Sequence, residues 1–145
     1  MGKDKAMKIL IAEDDFTSRL VLQGILNKFG DVHVAVQGKE CVEAFKLSLE
    51  TGNAYDLICL DIMMPEMDGH QALKEIRRLE AFLGIKNGKE VKVLMTTVLD
   101  DPKNVFEAYY RGGATSYLVK PVHSTDVIKE LQQFGLIKST NGGQL

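Results

Sequence analysis

Cysteine is scarce in this chain: Cys41 and Cys59 are the whole supply, and neither stands in a CxxC or CxxH spacing. A zinc site or a structural disulfide has no framework here. Both thiols read as small buried hydrophobes, Cys41 in a helix and Cys59 in a strand. Net charge is nearly absent too, since 18 Lys and Arg stand against 20 Asp and Glu. That balance gives no reason to expect nucleic-acid or anionic-membrane binding. Long apolar runs are missing: nothing approaches the ~20 residues of a membrane-spanning helix, and no signal peptide precedes the first apolar segment. A cytoplasmic protein is the expectation. No internal repeat and no linker interrupts the 145 residues, which read as one domain with its core over about 7–137 and frayed ends.

What the chain does have is a rhythm. Lys8–Glu13 is a short apolar run and reads as a first strand. Leu22, Ile25, Leu26 and Phe29 recur at i, i+3, i+4 and i+7, the stripe of an amphipathic helix, with Gly30 placed to stop it. Val32, Val34 and Val36 alternate as a second strand. Val42, Phe45 and Leu49 mark a second helix ending near Thr51-Gly52-Asn53. Tyr55–Leu60 has almost no polar residue, which suits a strand buried on both faces of a parallel sheet. Leu73, Ile76 and Leu83 belong to a third helix, closed by a turn at Gly84–Gly88. Val91–Thr97 is a fourth strand; Asp101 and Pro102 start a fourth helix that Gly112-Gly113 end. Ser116–Val119 is a fifth strand, and Ser124 caps a fifth helix carrying Val127, Ile128, Leu131 and Phe134. Five strand–helix units with short connections require right-handed crossovers and helices on both faces of a parallel sheet. The fold class is α/β: a doubly wound (βα)5 domain in the flavodoxin-like order 2-1-3-4-5.

Such sheets gather ligands at the carboxyl ends of their strands. Asp14 and Asp15 follow the first strand, Asp61 closes the third, Thr97 the fourth, and Lys120 follows the fifth. All five converge on one edge. Clustered carboxylates repel, which raises a pKa or invites a cation. Only oxygen ligands are on offer, so Mg2+ fits far better than zinc. Asp15 and Asp61 are the expected direct ligands, with Asp14 acting largely through water. A carboxylate beside Mg2+ is also a nucleophile for phosphoryl groups, and Asp61 is the candidate. Lys120 would pair with one phosphoryl oxygen and Thr97 would donate to another; phosphoryl transfer asks mainly for positioning and charge neutralisation. Each residue has a plainer reading as well. Asp14 or Asp15 could cap the first helix, Thr97 is a good strand former, and Tyr117 could be plain core. Met63, Met64, Met67 and Met95 read as packing around the site, and His33, His70 and His123 as surface or edge residues.

At this point the chain resembles the receiver domains of two-component response regulators, in particular the single-domain, chemotaxis-regulator-like kind. The resemblance rests on Asp14-Asp15, on Asp61-x-x-Met64-Pro65-x-Met67-Asp68-Gly69, on Thr97, and on Tyr117-Leu118-Val119-Lys120-Pro121. It implies that Asp61 is the phosphoacceptor, charged from a phosphohistidine on a sensor histidine kinase. It implies Mg2+ held by Asp14, Asp15, Asp61 and the backbone carbonyl of Met63. Thr97 and Tyr117 would form a switch pair, and Lys120-Pro121 a cis peptide. The face made by the fourth helix, fifth strand and fifth helix would then change shape and select a partner. Such a domain would catalyse only its own phosphorylation and dephosphorylation.

Where the family tunes the lifetime of the phosphoryl group, two residues beyond the acceptor and two beyond the switch hydroxyl, this chain has Met63 and Leu99. Neither can orient a water, so a long-lived phosphoryl state is expected. Val98 is bulkier than the Ala or Ser often found there. Two other classes fare worse. A phosphatase of the haloacid-dehalogenase type carries its nucleophile after the first strand, and a flavodoxin-type binder needs a phosphate loop where Glu13-Asp14-Asp15 would repel it. With no output domain expected after residue 137, the signal would leave through a separate protein, by way of Val105, Phe106, Tyr109, Lys129 or Gln133, or pass on as an intermediate of a phosphorelay. The protein itself would be a monomer or transient dimer.

Overall fold

The computed structural model describes residues 6–98 and 113–138. Its elements are β1 (Met7–Ala12), α1 (Phe16–Leu26), β2 (Gly30–Ala35), α2 (Gly38–Glu50), β3 (Leu57–Asp61), α3 (Gly69–Phe82), β4 (Lys92–Thr97), β5 (Ser116–Val119) and α4 (Ser124–Gln133). The helix expected from Asp101, with Val105, Phe106 and Tyr109, lies outside the described residues, as does Leu99. The strands form one parallel sheet in the order β2-β1-β3-β4-β5, as the alternation of strands and helices requires.

Period-two alternation sorts each strand between two cores. Leu10, Ala12, Ile58, Leu60, Val93 and Met95 pack with Cys41 and Phe45 of α2 and with Ala72, Leu73 and Ile76 of α3. Ile9, Ile11, Leu57, Cys59 and Leu94 pack with Leu22 and Leu26 of α1 and with Val127 and Leu131 of α4. Among the described residues, one pair of helices thus packs on each face. The central strand β3 is buried along its whole length, which explains its unbroken apolar run. Both cysteines are buried, and burial pushes each thiol up to about 12, so they stay inert.

Several local expectations differ from what is found: Phe29 lies beyond the end of α1 and Val36 beyond the end of β2, and three further differences are instructive. Gly30 does not stop α1, whose C-cap is Asn27; it opens β2. A Cβ there would meet the Met7 carbonyl oxygen at 2.1 Å, so glycine is needed for two strands to approach. Leu83 is 55% exposed because α3 ends at Phe82 and the periodic stripe ends with it. Ser124 is the first residue of α4; the N-cap is His123, whose side chain makes no capping bond.

At the far end of α3, Arg77 and Glu80 form an inward-facing ion pair at 2.8 Å. The Glu80 carboxylate also accepts the Val91 N–H at 2.7 Å. Arg77 donates to the carbonyls of Val91 (2.9 Å) and Gly113 (3.0 and 2.8 Å). This clasp ties α3 to the start of β4 and to the approach of β5.

Candidate functional site: an acid pocket at the carboxyl edge of the sheet

The same alternation that sorts the core carries chemistry to the sheet's carboxyl edge. Ile9 and Ile11 face α1 and α4, so Glu13 continues on that side, as Asp61 does after Leu57 and Cys59. Glu13 is 0% exposed and Asp61 3%. Lys120 enters from the β5 side, its backbone N–H donating to the Thr97 carbonyl at 2.6 Å. Its ammonium stands 2.7 Å from Glu13 Oε1 and 3.4 Å from Asp61 Oδ1. Glu13, Asp14 and Asp61 each offer a carboxylate oxygen, all within 4.8 Å of one another.

Electrostatically the pocket has too much negative charge for its one lysine. Burial, then the charge of Glu13 and a hydrogen bond with it, push Asp61 up to about 7. Lys120 and the Met63 N–H, which donates to Asp61 Oδ1 at 3.2 Å, pull the other way. Lys120 itself is raised: burial works against its charge, but the bond to Glu13 and the Asp61 and Glu13 charges outweigh that. A divalent cation would relieve this imbalance, and an all-oxygen donor set suits a hard ion such as Mg2+.

The acids are not the three expected. Asp15, anticipated as a direct metal ligand, caps α1 instead: its Oδ2 accepts the Ser18 N–H at 2.9 Å, and that bond holds its carboxyl below the usual range. Glu13 takes the place inside. The missed signal was parity, because Ile9, Ile11 and Glu13 share a face and an Asp ahead of Phe16 is a helix start. Arg19 was also missed. Its guanidinium donates to the carbonyls of Glu13 (3.0 Å) and Asp14 (3.4 Å) and lies 5.5 Å from the Phe16 ring centroid, bracing the turn that presents both acids.

The β3–α3 connection is built around Asp61. Asp68 and Gln71 form a reciprocal capping box at the head of α3. Gly69 lies so close beneath it that a Cβ would meet the Asp61 carbonyl oxygen at 2.4 Å. The Asp68-Gly69 signature is therefore cap plus close approach. Met64 and Met95 are buried as expected, but Met63 is 61% exposed and rims the pocket. Thr97 ends β4 and is 1% exposed. It shares a side of the sheet with Tyr117, whose register partner is Met95, and Tyr117 packs half-buried on the α2–α3 core. The Lys120–Pro121 peptide is cis. His33 is bonded to the Tyr55 hydroxyl at 2.8 Å, far from the pocket at the sheet's other end.

Fold and pocket together define a flavodoxin-like α/β domain with an oxygen-ligand site where the strand order reverses. The model of the response regulator receiver domain matches residues 9–132, and the chain belongs to that family. It is a receiver domain of two-component signalling. It is 32% identical to the chemotaxis protein CheY of Bacillus subtilis over 130 residues, 88% of this chain and 97% of that protein. Against the sensory/regulatory protein RpfC of Xanthomonas campestris it is 29% identical over 127 residues, 88% of this chain but only 16% of RpfC. Among solved structures, the receiver domain of the histidine kinase CKI1 from Arabidopsis thaliana, complexed with Mg2+ and BeF3−, is similar at TM-score 0.73 and 28% identity, covering 89% of this chain and 91% of that one. No helix among the described residues is long and apolar enough to cross a membrane.

Proposed function

We propose that Asp61 is the phosphoacceptor of a phosphorylation-dependent switch, and that the chain works as a single receiver. The observation that carries this is the pocket itself, where Asp61 is buried between Glu13 and Lys120 at a strand's carboxyl end. A carboxylate oxygen of Asp61 attacks phosphorus, and the bond to the donor nitrogen of a kinase phosphohistidine breaks as the imidazole recovers its electron pair. Mg2+ supplies neutralisation of the phosphoryl oxygens and of the crowded acids. Asp14, Asp61 and the Met63 carbonyl would hold the ion, with Glu13 reaching it through water, while Asp15 is left to its cap. Lys120 exchanges Glu13 for a phosphoryl oxygen, and Thr97 donates to another, with the Tyr117 ring following. The altered face around β5 and α4, including Lys129 and Gln133, then selects a separate protein. In this reading the domain acts in the cytoplasm, as a monomer or transient dimer, and catalyses only its own phosphorylation and dephosphorylation.

Mg2+ with acetyl phosphate tests this directly. By intact mass the wild-type protein gains one phosphoryl group and Asp61→Asn gains none; labelling that survives the substitution would falsify the assignment. The apolar side chain of Met63 at the pocket rim supports a slow loss of the phosphoryl group to water, read as its half-life after the donor is removed. A second reading, an intermediate in a phosphorelay, is favoured by a similar receiver lying within a kinase, the histidine kinase CKI1. Transfer of label from this chain to a histidine phosphotransfer protein would distinguish it.

A further inference from the structure

Beside the acid pocket the sheet carries a hydroxyl with nothing to bond. Thr96 is 0% exposed, and its Oγ1 has no hydrogen-bond partner among the described residues. A buried hydroxyl in that condition has given up water and gained nothing in return. Valine would fill the same space without the penalty, and the strand preceding it reads Val93, Leu94, Met95. Two other inward hydroxyls are satisfied: Ser48 donates to the Phe45 carbonyl at 2.6 Å, and Thr115 accepts the Val93 N–H at 2.9 Å. Local violations of good packing concentrate where a protein does its work.

The register says what that work is. Asp61 and Thr96 are direct partners across β3 and β4, and paired residues project to the same side of the sheet. On its other flank Thr96 pairs with Leu118, two residues before Lys120. The hydroxyl therefore stands on the strand between the nucleophile and the lysine, on their side of the sheet. Within the pocket, the Met63 N–H and Lys120 both address Asp61 Oδ1, and Glu13 competes for the carboxylate.

We propose that Thr96 is a positioning residue for phosphoryl transfer. Its hydroxyl, brought round by one staggered rotation about χ1, donates to the Asp61 carboxylate when Asp61 turns from Glu13 toward the phosphodonor. The bond fixes the carboxylate plane for in-line attack, and the hydroxyl is left unbonded in the resting pocket because its partner exists only in the reacting arrangement. This rests on Asp61 being the phosphoacceptor.

Four proteins test it: wild type, Thr96→Val, Thr96→Ser and Asp61→Asn, each with Mg2+ and acetyl phosphate, following phosphoryl gain by intact mass and Tm in parallel. Thr96→Val should melt above wild type, since the unbonded hydroxyl is gone, yet label about tenfold more slowly. Thr96→Ser keeps the hydroxyl and should label within about twofold of wild type. A purely structural Thr96 would move Tm and rate in the same direction. If Thr96→Val labels at the wild-type rate while Asp61→Asn stays unlabelled, the role of Thr96 is overturned and that of Asp61 stands. If serine and valine are equally slow, the methyl group and not the hydroxyl matters, which also overturns it. Labelling of Asp61→Asn overturns both.

Discussion

Two buried glutamates, Glu80 and Glu13, each sit against a cation, and the chain treats them in opposite ways. Glu80, at the amino-terminal side of the sheet, has its two oxygens assigned, one to Arg77 and one to the Val91 N–H. Arg77 makes three further bonds, one to the Val91 carbonyl and two to that of Gly113. That network is complete, and a complete buried network rigidifies. Glu13, at the carboxyl end, shares Lys120 with Asp61 and has Asp14 beside it, so among the described residues three acids gather around one lysine. The clasp is finished without a ligand. The pocket carries more negative charge than Lys120 offsets, the kind of imbalance that marks a candidate working site and not a structural ion pair.

The sharpest way to break the comparison is at Glu80. Glu80→Ala strands Arg77 and the Val91 N–H, and should cost about 3 kcal/mol, lowering Tm by roughly 10 °C. Phosphorylation of the protein that remains folded should keep its wild-type rate, measured below the new Tm. A change in rate larger than the change in folded fraction would show that the clasp belongs to the switch.

At the pocket the sign reverses. Asp61 titrates near 7 in the folded metal-free protein against 3.8 as its ordinary value, so the folded state binds its proton more tightly. The stabilisation is whole below about pH 4 and is lost as pH rises through 7. Asp61→Asn should therefore stabilise the metal-free protein at pH 8, by about 1–2 kcal/mol once screening by Lys120 and solvent is allowed for. It should do nothing at pH 4. Melting curves in EDTA across that range would show the gap between wild type and variant opening with pH, and saturating Mg2+ should close it by stabilising the wild type alone. An Asp61→Asn protein that is less stable at pH 8 would contradict the charge imbalance.

The smallest effects separate Asp14 from Asp15. Asp15→Ala removes a helix cap and should cost about 1 kcal/mol, while Mg2+ affinity by calorimetry stays within about twofold. Asp14→Asn should leave Tm nearly unchanged and weaken Mg2+ more than tenfold, about 1.4 kcal/mol. The reverse pattern would restore Asp15 to the pocket.

Much of this was legible in the chain. The strands announced themselves because a strand buried on both faces must be apolar throughout, and Leu57–Leu60 is. Asp61 was visible because a carboxylate has no reason of its own to end such a strand. Lys120 before Pro121, and Asp68 before Gly69, stood out for the same kind of reason. Where spacing along the chain misleads, the deciding fact is a contact across it. Gly30 looked like a helix stop and is a strand crossing point, set by the Met7 carbonyl. Asp15 looked like a ligand because three acids in a row are indistinguishable until one is known to lie at a helix N-cap. Met63 looked like packing, and its exposure follows from the turn that leaves its N–H on Asp61.

The sequence alone determined the doubly wound fold, the edge at which the acids collect and the residue proposed to act there, because periodicity and strand-end polarity are local properties of the chain. Which acids share the pocket, which one caps a helix, and that a buried threonine has no hydrogen-bond partner among the described residues were decided by tertiary structure. Those depend on register between strands distant in sequence, and register is a property of the assembled sheet.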